Sequence, residues 1–362
     1  MSLVHVVGAR PNFMKAAPVI DGLAALGIDQ TLVHTGQHYD ASLSQVFFDE
    51  LDLPEPNRYL RVGSGAHGAQ TGRLLEALER DFVATGPHGV VVYGDVNSTL
   101  AAALAAAKLD IPVAHVEAGL RSFDRSMPEE INRVVTDAIA DLHLVTSPEA
   151  VDHLAGEGRP VDGIHLVGNT MIDTLEKVRP RLDPAPVRGD LGIPDEYALV
   201  TLHRPGNVDD AERVHSIVKA LASVGEAIQL VFPVHPRGRE SLRAAGLFEI
   251  DGLIDTRPLG YLDFTALASA ARLVITDSGG IQEETTMLDV PCLTVRPNTE
   301  RPITITHGTN QLVEPDAIAT VANRILAGDS AFPSQRPPLW DGHAGERAAA
   351  TLARWSADRP ER

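Results

Sequence analysis

Several residues able to take up protons or hold anions stand where apolar runs end. Asp95 follows "GVVVYG", and Glu117 lies at the end of "VAHVEAG" with Arg121 just beyond. Glu129 opens "PEEINR" four residues before Arg133, so the two share one face of a helix begun by Pro128. Carboxylates gathered in a cleft have shifted pKa values and can remove and return protons. Taken singly, each has a plainer role. A strand-end acid caps a helix, and a Glu–Arg pair four apart is a surface ion pair. Three acids leaving one edge weaken that reading. Further on, "LVTLHRPGN" ends its strand with His203 and Arg204, and "VFPVHPR" ends its strand with His235 and Arg237. Most of the 14 histidines are packing residues; His5, His34 and His115 sit inside strands and are expected to be structural.

Two stretches favour anions. In "GARPNFMK" Arg10 and Lys15 flank a helix start at Pro11. In "VITDSGGIQEE" the strand gives way at Ser278-Gly279-Gly280 to a helix whose first N–H groups and positive dipole end attract phosphate. Glu284 lies six residues beyond Ser278, or about 9 Å along a helix, roughly one diphosphate away. A nucleoside diphosphate bound phosphate-first places its ribose there, and a carboxylate accepts from both ribose hydroxyls. Glu283 then points into a structural contact. Arg301, in "NTERP", is a further cation for the phosphates.

The elements that must position these residues follow from the apolar pattern. Runs at 3–8, 31–36, 89–95, 113–119, 142–147 and 164–169 are followed, after a break, by runs at 197–203, 229–235, 272–279 and 291–295. They are continuously apolar rather than alternating, as strands buried on both faces of a parallel sheet are. Helical stretches such as "TLAAALAAAKL", after the cap candidate Ser98, lie between them. The expected fold is therefore α/β, with two doubly wound Rossmann-like domains. Ligands in such sheets bind beyond the carboxyl ends of the strands. The proline-rich stretch 179–196 reads as a linker. Expected boundaries are 1–170 and 171–344, with a last helix in 345–362 packing back on the first domain.

Composition excludes other classes. A net charge of −18 over 362 residues repels nucleic acid and anionic membrane surfaces. No apolar stretch is long enough to span a bilayer, and the N-terminus enters a strand without a leader pattern. Cys292 is the lone cysteine, which excludes a disulfide framework and fits the cytoplasm. The strand-end histidines His203 and His235 come from different βα units, which is weak evidence for a metal, so no metal is expected.

The motifs "GARPNFMK", "HTGQHYD", "VYGDVNSTLA", "HVEAGLRS", "MPEEINR", "LVTLHRPGNVD", "FPVHPR", "PLGYLDF", "TDSGGIQEE" and "NTERP" occur in the order found in the non-hydrolysing UDP-N-acetylglucosamine 2-epimerases. The resemblance spans about residues 4 to 314. It implies a GT-B-like fold whose domains face a cleft, no metal or NAD, and a homodimer. It places catalysis on Asp95, Glu117, Glu129, Arg133 and His203. It places UDP on Arg10, Lys15, His235, Ser278, Gly279, Gly280, Glu284 and Arg301. The implied route expels UDP from C1 as the C2 proton is lost, giving 2-acetamidoglucal, and re-adds UDP after protonation on the opposite face. An allosteric role is implied for Gln37 and His38, although Ala69 stands where some members carry a cation. Asn12 likewise replaces a Glu of many bacterial members. Alternatives are a related 2,3-diacetamido uronic substrate, a hydrolysing relative, a GT-B glycosyltransferase with a separate acceptor, or a non-catalytic nucleotide-sugar sensor.

Overall fold

The computed structural model describes residues 2–37, 55–329, 332–333 and 335–357. The chain forms two compact units, 1–177 with 338–362, and 178–337.

The first unit holds β1 (Ser2–Val7), β2 (Asp29–His34), β3 (Arg58–Tyr59), β4 (Gly89–Tyr93), β5 (Val113–Ala118), β6 (Leu142–Val145) and β7 (Ile164–Leu166). They form one sheet in the order β3-β2-β1-β4-β5-β6-β7, every pairing parallel. The second unit holds β8 (Tyr197–Thr201), β9 (Gln229–Pro233), β10 (Leu253–Thr256), β11 (Leu273–Thr276), β12 (Cys292–Thr294) and β13 (Asn310–Leu312). Their order is β10-β9-β8-β11-β12-β13, again all parallel. The direction of winding reverses between β1 and β4 in one sheet and between β8 and β11 in the other. Those two carboxyl ends are where such sheets take ligands.

The continuous apolar runs have the burial they require. Every residue of β4 is buried, as are Leu273, Val274 and Ile275 of β11. Each such side chain contributes about 1.5–3 kcal/mol of transfer free energy. The helix Asn97–Lys108 packs on its sheet through Ala101, Ala102, Ala103, Ala105 and Ala106, all buried. Its N-cap is Val96, not Ser98. Ser98 lies inside the first turn and donates its hydroxyl to Gln37 Oε1 at 2.7 Å.

The stretch 179–196 is not a free linker. It contains the helix Pro184–Leu191, whose first turn is held by Asp183 accepting from the Ala185 N–H at 3.0 Å. Val187 and Ile193 join the core beneath β8, β9 and β11. The helix Ala344–Ala357 belongs to the first unit and packs along the helix Arg10–Ala25. Asp173 accepts from the N–H groups of Ala344 and Gly345 at 3.1 and 2.5 Å, and the Trp340 indole donates to the Thr146 carbonyl. Among the described residues, no helix is long and apolar enough to cross a membrane.

Candidate active site

In the first unit the turn after β1 is stitched to the end of β4 by Asn12. Its Oδ1 accepts from the N–H groups of Gly8 and Ala9, each at 3.1 Å, and its amide donates to the Tyr93 carbonyl at 2.7 Å. A Glu could not make that last donation. One turn along, Lys15 is buried and ion-paired with buried Glu117. The pair lies against Gly94, whose φ is +62°. A Cβ there would sit 2.8 Å from Lys15 Nζ and 3.0 Å from Glu117 Oε2.

Glu117 itself has φ +69°, a left-handed conformation that costs a non-glycine residue about 1–3 kcal/mol. The β5–β6 register shifts between Val116 and Ala118, so Glu117 occupies a bulge. A bulge turns a side chain away from its alternating place in the strand. Here it sends the carboxylate to the Lys15 ammonium.

Asp95 is bound by the Arg133 guanidinium, and its carbonyl accepts from Asn132 at 2.8 Å. Arg133 also donates to Glu130 Oε2, at 2.8 Å through Nη2. Glu130, three residues before Arg133, was not among the sequence candidates. It accepts from the N–H groups of Ser122 and Phe123, each at 2.9 Å. Burial pushes the Glu130 pKa up, but those N–H bonds and Arg133 outweigh it, and the carboxyl titrates below its ordinary value. Glu129 is half-buried in the first turn of the helix Pro128–Ile139.

Arg121 and His115 belong to the scaffold. Arg121 is ion-paired with Asp137 and Glu157, each at 2.7 Å, and His115 Nδ1 lies 2.6 Å from Asp137 Oδ1. Burial alone would raise the Asp137 pKa; His115 and Arg121 hold it at about 2. His5 is a packing histidine, its pKa lowered by burial to about 4. Gln37 is buried, with Oε1 accepting from the Ser98 N–H at 2.9 Å and its carbonyl from Gln70 at 3.2 Å. His38 lies outside the described residues, as does the side chain of Arg10, whose backbone opens its helix.

In the second unit the ends of β8 and β11 are joined by Asp277, fully buried. It accepts from the N–H groups of His203 and Arg204 and from Asn207, and His203 Nδ1 lies 2.9 Å from Oδ1. Burial opposes its charge, yet the bonds from His203, Arg204 and Asn207 lower its pKa. The His203 side chain is 43% exposed, and Nε2 is the ring nitrogen not engaged by Asp277. The His235 ring centroid lies 6.2 Å from that of His203, and its Nδ1 accepts from the Arg237 N–H at 3.2 Å.

Ser278 is the N-cap of the helix Gly279–Leu288, with its own N–H donated to Thr276 Oγ1 at 3.0 Å. A Cβ on Gly279 would meet Arg301 Nη1 at 2.5 Å and Glu300 Oε1 at 2.9 Å, so this glycine makes room for a buried arginine. Gly280 is half-buried in the same turn. Arg301 is ion-paired with Glu300 and with Glu283 at 2.8 Å, the structural contact expected of Glu283. Glu284 is buried, and its pKa rises to about 7. Burial drives it up, a hydrogen bond from Tyr261 pulls against it, and the charge of Glu283 adds to the rise.

Two all-parallel, doubly wound sheets with cations, acids and a helix N-terminus at their carboxyl ends place the chain in the GT-B-like class of α/β folds. The model of the family described as UDP-N-acetylglucosamine 2-epimerase matches residues 23–353. The chain is 42% identical to a UDP-N-acetylglucosamine 2-epimerase of Methanocaldococcus jannaschii, covering 97% of this chain and 99% of that one. It is equally identical, 42%, to a UDP-2,3-diacetamido-2,3-dideoxy-D-glucuronate 2-epimerase of Pseudomonas aeruginosa over 86% and 88%. A crystal structure of the Methanocaldococcus jannaschii UDP-GlcNAc 2-epimerase, in complex with UDP-GlcNAc and UDP, superposes with a TM-score of 0.90 at 40% identity, covering 98% of this chain and 100% of that one. The chain belongs to the UDP-N-acetylglucosamine 2-epimerase family.

Proposed function

We propose that the chain interconverts UDP-N-acetylglucosamine and UDP-N-acetylmannosamine by elimination and re-addition of UDP. The observation that carries this reading is Glu117. It is a buried carboxylate held in a strained left-handed bulge against Lys15, on the sheet edge that also presents Asp95 with Arg133. Strain of that kind persists where a side chain must be aimed.

C2 of the sugar is not adjacent to a carbonyl, so its proton is removed only if a leaving group departs with the electrons. A carboxylate among Asp95, Glu117 and Glu129 takes the C2 proton. The C–H pair becomes the C1–C2 double bond, and the C1–O bond breaks to release UDP. A proton then returns to the other face of C2, and UDP re-adds at C1. Nothing is oxidised, so no redox cofactor is called for. Lys15, Arg10, Arg133 and His203 offset the charge that develops on the departing diphosphate. In the second unit the N-terminus of Gly279–Leu288 with Ser278 and Gly280 takes phosphate, His235 assists, and Glu284 takes the ribose hydroxyls. Arg301 acts through Gly279 and Glu283. Gln37 and His38 are assigned to regulation, and the working form is a cytoplasmic homodimer.

The 42% identity to the diacetamido-glucuronate 2-epimerase supports a second reading in which the sugar carries a 3-acetamido and a carboxylate group. NMR of the protein with each UDP-sugar in D2O separates the two. The expected result is an equilibrium mixture from UDP-GlcNAc with deuterium at C2. Epimerisation without deuterium at C2 excludes the elimination route. Inert UDP-GlcNAc with turnover of the uronic sugar selects the second reading. A glycosyltransferase would leave either sugar nearly unchanged without an acceptor.

A further inference from the structure

The acids of the first unit stand on two adjacent turns. Asp95 follows Gly94 at the end of β4, and Glu117 lies two residues before Gly119 at the end of β5. Both glycines have positive φ, +62° and +79°. Turns of this kind are free to adopt several orientations unless something holds them. One carboxylate holds both. Asp137 Oδ2 accepts the Gly119 N–H at 3.1 Å. Asp137 Oδ1 meets His115 Nδ1 at 2.6 Å, and His115 Nε2 meets the Gly94 carbonyl at 2.8 Å.

The histidine joins two acceptors, a carboxylate at one ring nitrogen and a backbone carbonyl at the other. Arg121, ion-paired with Asp137 and Glu157, closes the other side of the carboxylate. His143 completes the enclosure, with Nε2 at 2.9 Å from the Asp137 carbonyl. An apolar residue at 115 would pack in the strand as well. It could not join Asp137 to Gly94.

We propose that Asp137 and His115 are positioning residues for the reaction proposed above: their relay sets the turns that bear Asp95 and Glu117 without touching substrate. Misplacing a proton-transfer group by about 1 Å can cost on the order of a hundredfold in rate, whereas ground-state binding of UDP depends on other groups. The relay therefore acts on kcat.

The test is His115→Gln, which retains a donor for one partner only, alongside amide hydrogen exchange in the wild-type protein. The expected outcome is a fall in kcat of about ten- to a hundredfold with KM and UDP affinity within about threefold of wild type. In the wild-type protein the Gly119 amide, held by Asp137, should be protected from exchange. A folded His115→Gln protein with unchanged kcat overturns the proposal, and so does one that loses rate and UDP affinity together. A Gly119 amide that exchanges freely overturns it even if the variant does not fold. Wild-type protein inactive on every UDP-sugar, but with a protected Gly119 amide, would instead count against the proposed reaction and leave the geometry of the relay in place.

Discussion

His203 turns its Nδ1 toward the buried carboxylate of Asp277, 2.9 Å away, so a residue after β8 is oriented by one after β11. The carboxylate fixes which ring nitrogen carries the proton on that side and leaves Nε2 for chemistry. Asp277→Asn keeps the volume but removes the charge that orients the ring. Turnover is expected to fall at least about tenfold, with a stability loss of about 1–3 kcal/mol from weakened buried hydrogen bonds. Steady-state kinetics and thermal unfolding check it; an unchanged rate would detach His203 from the mechanism.

Glu117→Gln separates proton transfer from binding. The rate should fall by about two orders of magnitude, in keeping with general acid–base contributions. UDP affinity measured by calorimetry should stay within a few fold. Arg10→Ala should lower both, because a cation at the diphosphate acts in ground and transition states alike. Near-normal turnover by Glu117→Gln would move the proton transfers to Asp95 and Glu129.

Gly94→Ala and Gly27→Ala form a matched pair. Both positions have positive φ, +62° and +70°, so each alanine carries the same backbone cost of about 1–2 kcal/mol. Only at Gly94 does the new Cβ meet Lys15 and Glu117; at Gly27 nothing lies within 4 Å. A loss of melting temperature is expected for both, the larger in Gly94→Ala because its Cβ also presses on the buried ion pair, with activity lost in Gly94→Ala alone. Activity lost equally in both would show that the Lys15–Glu117 contact is incidental.

The raised Glu284 pKa, about 7 against 4.5 for an ordinary glutamate, has a signed consequence. The folded protein binds this proton more tightly than the unfolded chain. Its contribution is therefore favourable at acid pH and fades as pH rises from about 4.5 to about 7, by up to roughly 3 kcal/mol. Glu284→Gln should be progressively more stable relative to wild type across that window. If the ionised carboxylate grips the ribose, wild-type UDP affinity should rise as pH passes through about 7, and that rise should vanish in the variant. Calorimetry at several pH values decides, and a variant with the wild-type pH profile would release Glu284 from the ribose.

What could be read in the sequence tracks how much apolar surface each element buries. The long inner strands announced themselves because Val90, Val91 and Val92 are covered on both sides. Three of the four edge strands, Arg58–Tyr59, Leu253–Thr256 and Asn310–Leu312, are two to four residues long and part polar, and leave no apolar run. The helix Pro184–Leu191 hid behind prolines, although Asp183 before Pro184 is an N-cap pattern. Asp277 was missed for a different reason. It ends β11 as Asp95 follows β4, and the strand-end rule applied to acids in the first unit would have found it in the second. Glu130 and Asp137 were not legible, because their partners come from other turns: Ser122 and Phe123 for one, His115 and Gly119 for the other.

The helix Ala344–Ala357 lays Ala348, Ala349 and Leu352, all fully buried, on a unit whose strands all precede position 178. Gly22 and Pro18 are shaped for it: a Cβ on Gly22 would lie 2.8 Å from the Ala349 Cβ, and one on Gly345 would lie 2.5 Å from the Pro18 Cβ. Domains usually finish folding in the order in which the ribosome makes them. Here that order is inverted. Unit 178–337 is complete in sequence while the earlier unit still waits for its closing helix. During translation the older half therefore stays with an uncovered apolar face on Arg10–Ala25, and premature termination between residues 178 and 343 releases a chain whose first unit lacks its closing helix.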